Sequence, residues 1–502
     1  MSTFVEKFHL NEFETLWSSI KDDGGISAGT LFHHARENGW TDPRLMDVYD
    51  TKDIRNAKLF AEANRGALLF IIETGDVLSF GEAGWVKSSE LVSVSGAKAV
   101  IKDMRIEASE LFKQSHDNPK AIELNKHADY SSTAQRIQAM IELAKSEDGM
   151  SARLSAFDSD SNLLGLLNGV LNLKQRSLMP VNPSLLVSMR ANVHFDPQAK
   201  CTLWKNFISE IQPDPEMQAL MQQLSGIFLC GDSNLQKIIF LYGHGANGKS
   251  TFIEVLAWLL GDYTRRIATE MLMHHQRNPQ GPSPDIVGLK GRRLVYCNEI
   301  EEGRHLAEAR VKELTGGDTL SGRTPYAKEE VSFQPTHSLV MVGNHQPEIH
   351  DMSHGMWRRM LMVRFDQIIP DAKRDADLVN KLKAEASGIL NWALDGYQSY
   401  KKSGLLIPSA VTKAIDVYKD EQDLIGEWIN DHCVLNASAK TSKHDCYKAY
   451  QYWAKQRGQY PLAQGRFTTR LRDRGYSQDA GKRNLTGLEL NQQGRVSLTK
   501  GF

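Results

Sequence analysis

The stretch Gly243-His244-Gly245-Ala246-Asn247-Gly248-Lys249-Ser250 constrains this chain more than any other. It satisfies the pattern G-x-x-x-x-G-K-S/T, and both of its flanks have the form that pattern needs. Before it, Lys237-Ile238-Ile239-Phe240-Leu241-Tyr242 is an apolar run of strand length. After it, Phe252, Ile253, Leu256, Leu259 and Leu260 recur at helical spacing. A glycine-rich turn between strand and helix lets main-chain N–H groups close around phosphate oxygens, and the helix N-terminus adds partial positive charge. Gly243, Gly245, Ala246, Asn247, Gly248, Lys249, Ser250 and Thr251 are therefore expected to hold a nucleoside triphosphate. In that role Lys249 reaches the β- and γ-phosphates and the Ser250 hydroxyl binds Mg²⁺.

With 502 residues, 41% of them hydrophobic and 24% charged, the chain has material for two to four ordinary domains. Its net charge of −1 means that any contact with nucleic acid must come from local patches. Five cysteines, at 201, 230, 297, 433 and 446, show no C-x-x-C spacing and argue against a disulfide framework. The opening MSTFVEKFHL is too charged for a secretory signal, and no apolar run approaches membrane-spanning length. The expectation is a cytoplasmic protein with no membrane partner.

Taken in order, residues 1–50 read as a small helical module, with Phe13, Leu16, Trp17 and Ile20 on one stripe. His33 and His34 have no acidic or cysteine partner at ligand spacing and read as surface or core histidines. A helix over 53–64 is followed by strand patterns at 67–72 and 77–80 around Gly75-Asp76, and a third near Trp85-Val86. Long helices are expected through 88–150. Asn168-Gly169 sits in a strand–turn–strand pattern, which makes Asp158-Ser159-Asp160 a loop rather than a polymerase carboxylate pair. From 203 to 229 the pattern is helical, broken around Pro213 and Pro215.

Downstream of the phosphate loop, Leu294-Val295-Tyr296-Cys297-Asn298-Glu299 is a second buried strand pattern ending in an acid. A carboxylate there can hold Mg²⁺ or polarise the attacking water; Glu299 is nearest the strand end and Glu301 is the alternative. Ser338 to Gly343 is a third strand pattern, ending in Asn344, whose amide can contact a γ-phosphate or the lytic water. Arg323 to Phe333 reads as an exposed hairpin with a basic, aromatic tip at Tyr326 and Lys328. Trp357-Arg358-Arg359 leads into a strand over 360–365, where Arg358 or Arg359 could serve a neighbouring subunit as an arginine finger, with Arg359 slightly favoured because it sits nearer the strand.

Near the end, residues 440–483 carry eleven Lys or Arg against three Asp, with Tyr447, Tyr450, Tyr452 and Trp453 among them. Helix, second basic helix over Gln464 to Arg474, and a hairpin-type segment from Gly475 to Leu490 suggest a winged-helix DNA-binding domain. Arg466, Arg470 and Arg472 would meet phosphates, and the aromatics either stack on bases or fill a core. His432, Cys433, His444 and Cys446 match no standard zinc spacing.

Gly243–Ser250, Asn298–Glu302, Lys312-Glu313-Leu314-Thr315-Gly316-Gly317-Asp318, Val342-Gly343-Asn344 and Trp357-Arg358-Arg359 together resemble a superfamily 3 helicase. The similarity is to the phage, plasmid and poxvirus-type primase–helicases. Asn168–Leu173 and Phe195–Ala199 resemble the domain that precedes the helicase in that group, and residues near 10–50 its small C-terminal primase module. The resemblance implies a multidomain α/β chain. Its parts would be a module at 1–50, an α+β domain at 51–200, a helical collar or oligomerisation segment at 201–235, a AAA+-like P-loop ATPase core at 236–404 and the winged-helix-like domain at 405–502. The N-terminal region would be mainly helical.

The resemblance also implies ATP and Mg²⁺ as cofactors, a homo-oligomeric ring, a hexamer, and translocation on single-stranded and forked DNA. Ser250 and Glu299 would hold the metal, Asn344 would be the polar sensor, and Lys328 would fall at the DNA-contacting tip. Asn298 stands where many relatives carry a first acid, so the catalytic base stays open between Glu299 and Glu301. No carboxylate cluster of a catalytic primase domain is found, so this chain alone is expected not to prime, and a separate primase or replication initiator becomes a partner. Set against the motor is a second class, a nucleotide-switched origin-binding ATPase that assembles on DNA without unwinding it. A small-molecule kinase would leave 312–328 and the basic C-terminal module without a role.

Overall fold

The computed structural model describes residues 52–231, 235–274, 283–299, 303–325, 330–349, 351–459, 461–481 and 483–500. The module expected at 1–50, with His33 and His34, lies outside the described residues, as do Glu301, Tyr326 and Lys328. The described chain falls into two compact units, one of residues 52–81 with 86–152 and one of 82–85 with 153–500. Among the described residues no helix is long and apolar enough to cross a membrane.

The first unit contains α1 (Lys52–Asn64), β1 (Leu68–Ile71), β2 (Val77–Gly81) and β3 (Gly84–Ser88). Three helices follow, α2 (Leu91–Gln114), α3 (Pro119–Ser131) and α4 (Ala134–Ala144), and then the short strand β4 (Ser151–Ala152). The sheet runs β3-β2-β1-β4. Asn118 caps α3 through the Lys120 and Ala121 N–H groups, and Pro119 at the first position spares a donor that would have no partner. Thr133 caps α4 in the same way. Phe60, Ala97, Met104, Ala128 and Met140 bring the four helical faces into one core.

The second unit begins with the antiparallel meander β5 (Leu163–Leu166), β6 (Gly169–Asn172) and β7 (Ser177–Met179). Its first turn is Leu167-Asn168, one residue earlier than the expected Asn168-Gly169, because Gly169 already pairs with Leu166 as the first residue of β6. Helices α5 (Thr202–Ile211) and α6 (Pro215–Cys230) follow, parted at Pro213. Then come β8 (Ile238–Tyr242), α7 (Lys249–Leu260), β9 (Thr264–Arg266), β10 (Leu294–Asn298), α8 (Glu308–Thr315), β11 (Leu320–Gly322), β12 (Val331–Phe333), β13 (Ser338–Gly343), β14 (Met360–Arg364) and the long α9 (Ala386–Ser403). Five strands form one wholly parallel sheet in the order β14-β8-β13-β10-β9. Ile239 and Leu241 pack on the α7 side, Ile238 and Phe240 on the other. The central strand is apolar on both faces because both faces are covered.

The meander is tied to this sheet by Tyr263, whose hydroxyl accepts from Gly165 N (2.9 Å) and donates to Met189 O (3.0 Å). Arg293 reinforces the join: its guanidinium lies 4.5 Å from the Tyr263 ring and donates to Leu229 O and Leu163 O.

Beyond α9 the chain forms α10 (Ser409–Glu421), α11 (Leu424–His432), β15 (Cys433–Ser442), α12 (Lys443–Gln456), α13 (Gln464–Asp473), β16 (Asn484–Leu490) and α14 (Gln492–Lys500). The 475–490 segment makes a short antiparallel turn, with Gln478 bridging Leu485 and Thr486 N donating to Ser477 O (2.8 Å). β16 then pairs with the distant β15. Trp428, Tyr450, Trp453 and Phe467 fill the core of this module together with Cys433 and Cys446. Tyr450 and Trp453 therefore do structural work and are closed to base stacking.

His337, just before β13, is almost wholly buried, and its ring nitrogens find no well-formed hydrogen bond. Burial pushes its pKa down to about 4, with a weak opposing contribution from the main chain at Leu314. The unfolded chain takes up this proton near its ordinary value of 6.5, so stability is lost as pH falls from there towards 4. Urea unfolding at pH 7.5 and pH 5 should differ by about 2 kcal/mol less in His337→Phe than in the wild type. An unchanged difference would remove His337 from the acid sensitivity.

Candidate functional site

The loop between β8 and α7 is shaped by close approach of its own main chain to the segment after β14. Gly243 adopts φ 141°, and a Cβ there would lie 2.2 Å from Phe365 O. Gly248 adopts φ 83°, and a Cβ would lie 2.5 Å from Ile211 Cγ2. Neither position admits a side chain. Phe365 N donates to Tyr242 O (2.8 Å) and Ile369 N to Ala246 O (2.9 Å), so the loop is strapped to the strand beside it. Asn247 is buried, and its Nδ2 donates to Phe365 O (2.9 Å). Its part is to hold the loop's shape.

Lys249 opens α7 and is buried at 5% exposure. Its Nζ, with three N–H groups to share, lies within hydrogen-bond distance of Gly243 O (2.7 Å), His244 O (3.1 Å), Asn247 Oδ1 (2.9 Å) and Asn344 Oδ1 (3.2 Å). All four partners are neutral oxygens, and burial pushes the Lys249 pKa down to about 8. A desolvated ammonium held only by carbonyl-type oxygens is poised to take an anion. Beside it a cavity of about 490 Å³ is lined by Gly245, Ser250, Thr251, Asn298, Glu299 and Asn344 among others.

Across that cavity the acid is set by an unusual turn. Glu299 follows β10 with φ 65°, a left-handed conformation that costs a residue with a Cβ about 1 kcal/mol or more. Glu299 N donates to Val342 O (3.0 Å), and the Thr269 hydroxyl donates to Asn298 O (2.8 Å) and lies 3.3 Å from Glu299 O. The turn is thus pinned from β13 on one side and from the short helical turn that follows β9 on the other. Thr269 escaped the sequence reading because nothing local marks it; only the sheet order brings it to Glu299.

Asn298 Oδ1 is buried and without a hydrogen-bond partner. With the Ser250 hydroxyl and the Glu299 carboxylate it makes an all-oxygen set lining one cavity, the donor chemistry that suits Mg²⁺. Among the described residues no group of three or more His, Cys, Asp or Glu could hold a metal by itself. The strand carrying Asn344 stands between the loop strand and the acid strand, so lysine, amide and carboxylate meet at the carboxyl ends of three adjacent strands. In open parallel sheets that edge is where ligands bind.

A second cavity, about 800 Å³, lies on the other side of Gly243-His244. Ala410, Ala414 and Val417 of α10 face it at helical spacing, opposite Ile211, Met217 and Met362. Val417 is an apolar side chain on this wall that is 58% exposed. The Tyr418 hydroxyl donates to Pro347 O, and Ile349 N donates to Gln422 Oε1 (2.9 Å), so α10 is bonded to the loop that carries Asn344.

Arg358 and Arg359 stand at the other end of the sheet. Met360 pairs with Ile238 and Arg364 with Tyr242, so the two arginines precede the strand end remote from the loop, about 16 Å away along β14. Arg358 is exposed, whereas Arg359 Nη1 donates to Gly355 O (2.5 Å) within its own chain. β11 and β12 pair antiparallel with Gly322 opposite Val331, which frames the 323–330 segment. On α13, Arg466 and Arg472 are exposed. Arg470 is half-buried near Tyr450 and Asp423, and Arg474 pairs with Asp423.

Two family models match the chain: "D5 N terminal like" over residues 57–213, and a family of unknown function, DUF5906, over 241–359. A protein of Acanthamoeba polyphaga mimivirus named "Putative helicase" is 27% identical over 325 residues, covering 60% of this chain and 34% of that protein. A protein of African swine fever virus named "Putative primase" is 28% identical over 215 residues, covering 41% of this chain and 22% of that protein. The matched regions are thus a minor part of these relatives' own length. Among solved structures, the apo NrS-1 C terminal region aligns with 88% of this chain and all of its own, at 11% identity and a TM-score of 0.45.

Proposed function

We propose, on the support of its D5 N-terminal-like segment and of viral relatives named "Putative helicase" and "Putative primase", that this chain is an ATP-driven DNA helicase of the superfamily 3, AAA+-like primase–helicase type. The observation that carries this reading is the meeting of Lys249, Asn344 and Glu299 at one cavity at the carboxyl edge of the sheet. Lys249 exchanges its neutral oxygen partners for the β- and γ-phosphates, while main-chain N–H groups of 245–251 take the remaining oxygens. Ser250, Asn298 and Glu299 would hold Mg²⁺, which when bound would supply neutralisation of charge on the phosphates. Glu299 orients the attacking water, with Glu301 as the other candidate, and Asn344 holds the γ-phosphate end. The apolar stripe Ala410–Ala414–Val417 supports the 800 Å³ cavity as the seat of the base and ribose.

Arg358 acts on the nucleotide of a neighbouring subunit in a hexameric ring, because its own sheet carries it to the end away from its own loop. Arg359, engaged with Gly355, is less free for that role. DNA is gripped by the 323–330 segment with Tyr326 and Lys328, and by Arg466 and Arg472 of a winged-helix-like module. The order helix, strand, helix, helix, strand from α11 to β16 supports that assignment. A separate primase or initiator completes the replication machinery.

If Thr269 fixes the Glu299 turn, Thr269→Val should lower kcat on the order of 10-fold with little change in KM, and Thr269→Ser should restore it. An equal change in both parameters, or no change, would make the contact merely structural. The function itself is tested by titrating the purified protein with single-stranded DNA during ATP hydrolysis. A motor accelerates several-fold; an origin-bound switch turns over at one slow rate whatever strand is added.

A further inference from the structure

In the first unit α1 and α3 stand on either side of α2 and leave a groove of about 490 Å³ between them. Its floor is apolar, built from Leu59, Val100, Met104 and Leu124. At depth the two walls are pinned by buried polar groups. His127 Nε2 meets Asn56 Oδ1 at 2.8 Å, and Asn56 Nδ2 donates to Ser131 Oγ at 2.9 Å. The Ser131 hydroxyl in turn donates to His127 O (2.7 Å). With Asn56 Nδ2 committed to Ser131, Asn56 Oδ1 faces the ring and His127 Nε2 carries the proton. Burial, followed by Arg55 and Lys52, holds the His127 pKa below its ordinary value, so the pin is uncharged. The walls are therefore held together without apolar filling of the groove above the pin.

The rim has the opposite character to the floor. Glu107 is paired with Lys120 at 3.1 Å. Glu62, Asp103 and Glu123, one from each helix, make no ion pair among the described residues, and Arg55 is the remaining base on the rim. Small-molecule sites gather a few polar groups onto one point. Here the carboxylates come from three different helices around an apolar floor, an arrangement that suits the apolar face of an amphipathic helix with basic flanks.

We propose that this groove docks a basic, amphipathic helical segment of a partner protein, its apolar side chains on Leu59, Val100, Met104 and Leu124 and its Lys or Arg residues on the carboxylate rim. The apolar floor holds the segment, and the exposed acids select its charge and speed its arrival.

The probe is a labelled synthetic helix of about 16 residues with Leu at i, i+3, i+4 and i+7 and Lys on its flanks, beside a twin with Glu in place of Lys. Binding to the full chain is read by fluorescence anisotropy, and the footprint by amide hydrogen exchange. The wild type should bind the Lys peptide saturably and about 10-fold more tightly than the Glu twin, with protection confined to 55–63, 100–107 and 120–127. The triple variant Glu62→Lys, Asp103→Lys, Glu123→Lys should reverse the preference, a gain that misfolding cannot produce. No saturable binding of the Lys peptide, protection elsewhere, or an unchanged preference in the triple variant would overturn the proposal.

Discussion

Lys249→Ala is expected to lose ATP hydrolysis by on the order of 10³-fold or more while the protein stays folded. The ammonium is held over the loop by neutral oxygens that can relax when it is removed. Glu299→Gln should separate binding from chemistry. It should keep most of the ATP affinity, because the loop, Lys249 and Ser250 are untouched, and lose turnover, because an amide cannot accept the water's proton. Normal hydrolysis by Glu299→Gln together with loss in Glu301→Gln would move the base to Glu301. The pKa of Lys249, pushed down to about 8, adds a pH signature. The protonated lysine is the form that meets phosphate, so ATP affinity should fall as pH rises past 8 in the wild type. A flat profile there would mean that the loop amides carry the affinity.

Arg358→Ala is expected to bind ATP and yet to lose hydrolysis by about 10³-fold, the size of effect that arginine fingers have elsewhere. The parallel register puts Arg358 at the far end of the sheet from its own loop, so an action on nucleotide would have to be on that of another subunit. Mixing Arg358→Ala with Lys249→Ala protein tests that directly. In mixed rings some interfaces pair an intact loop with an intact arginine, and hydrolysis should return. No recovery in rings shown to be mixed would mean that Arg358 acts within its own chain. Arg359→Ala should lower stability more than it lowers turnover, because its guanidinium is bonded to Gly355.

The glycine-lysine loop was legible in the sequence because its pattern is local: Gly243, Gly248, Lys249 and Ser250 stand within eight residues. Three hydrophobic strands and their terminal Glu299 and Asn344 were equally readable, since a parallel sheet covered on both faces needs unbroken apolar runs. What could not be read was their order. That the Asn344 strand lies between the other two depends on long-range pairing, and with it the place of Thr269 beside Glu299. The aromatics of the basic C-terminal module left two readings open because their composition serves stacking and packing alike; burial of Tyr450 and Trp453 decides for packing. The wall of α10 against the second cavity was also invisible, for it joins residues about 170 positions downstream to the loop. In the first unit the helices were legible, but the polar pin of Asn56, His127 and Ser131 joins side chains more than 70 residues apart.

The central claim, that hydrolysis at Lys249 and Glu299 drives strand separation, is tested most directly by strand displacement on a forked DNA duplex. The wild-type protein with ATP should release the displaced strand, and Glu299→Gln should bind the same fork and release nothing. A wild-type protein that hydrolyses ATP and binds the fork but leaves the duplex paired would contradict the claim and identify a nucleotide-switched DNA-binding protein instead.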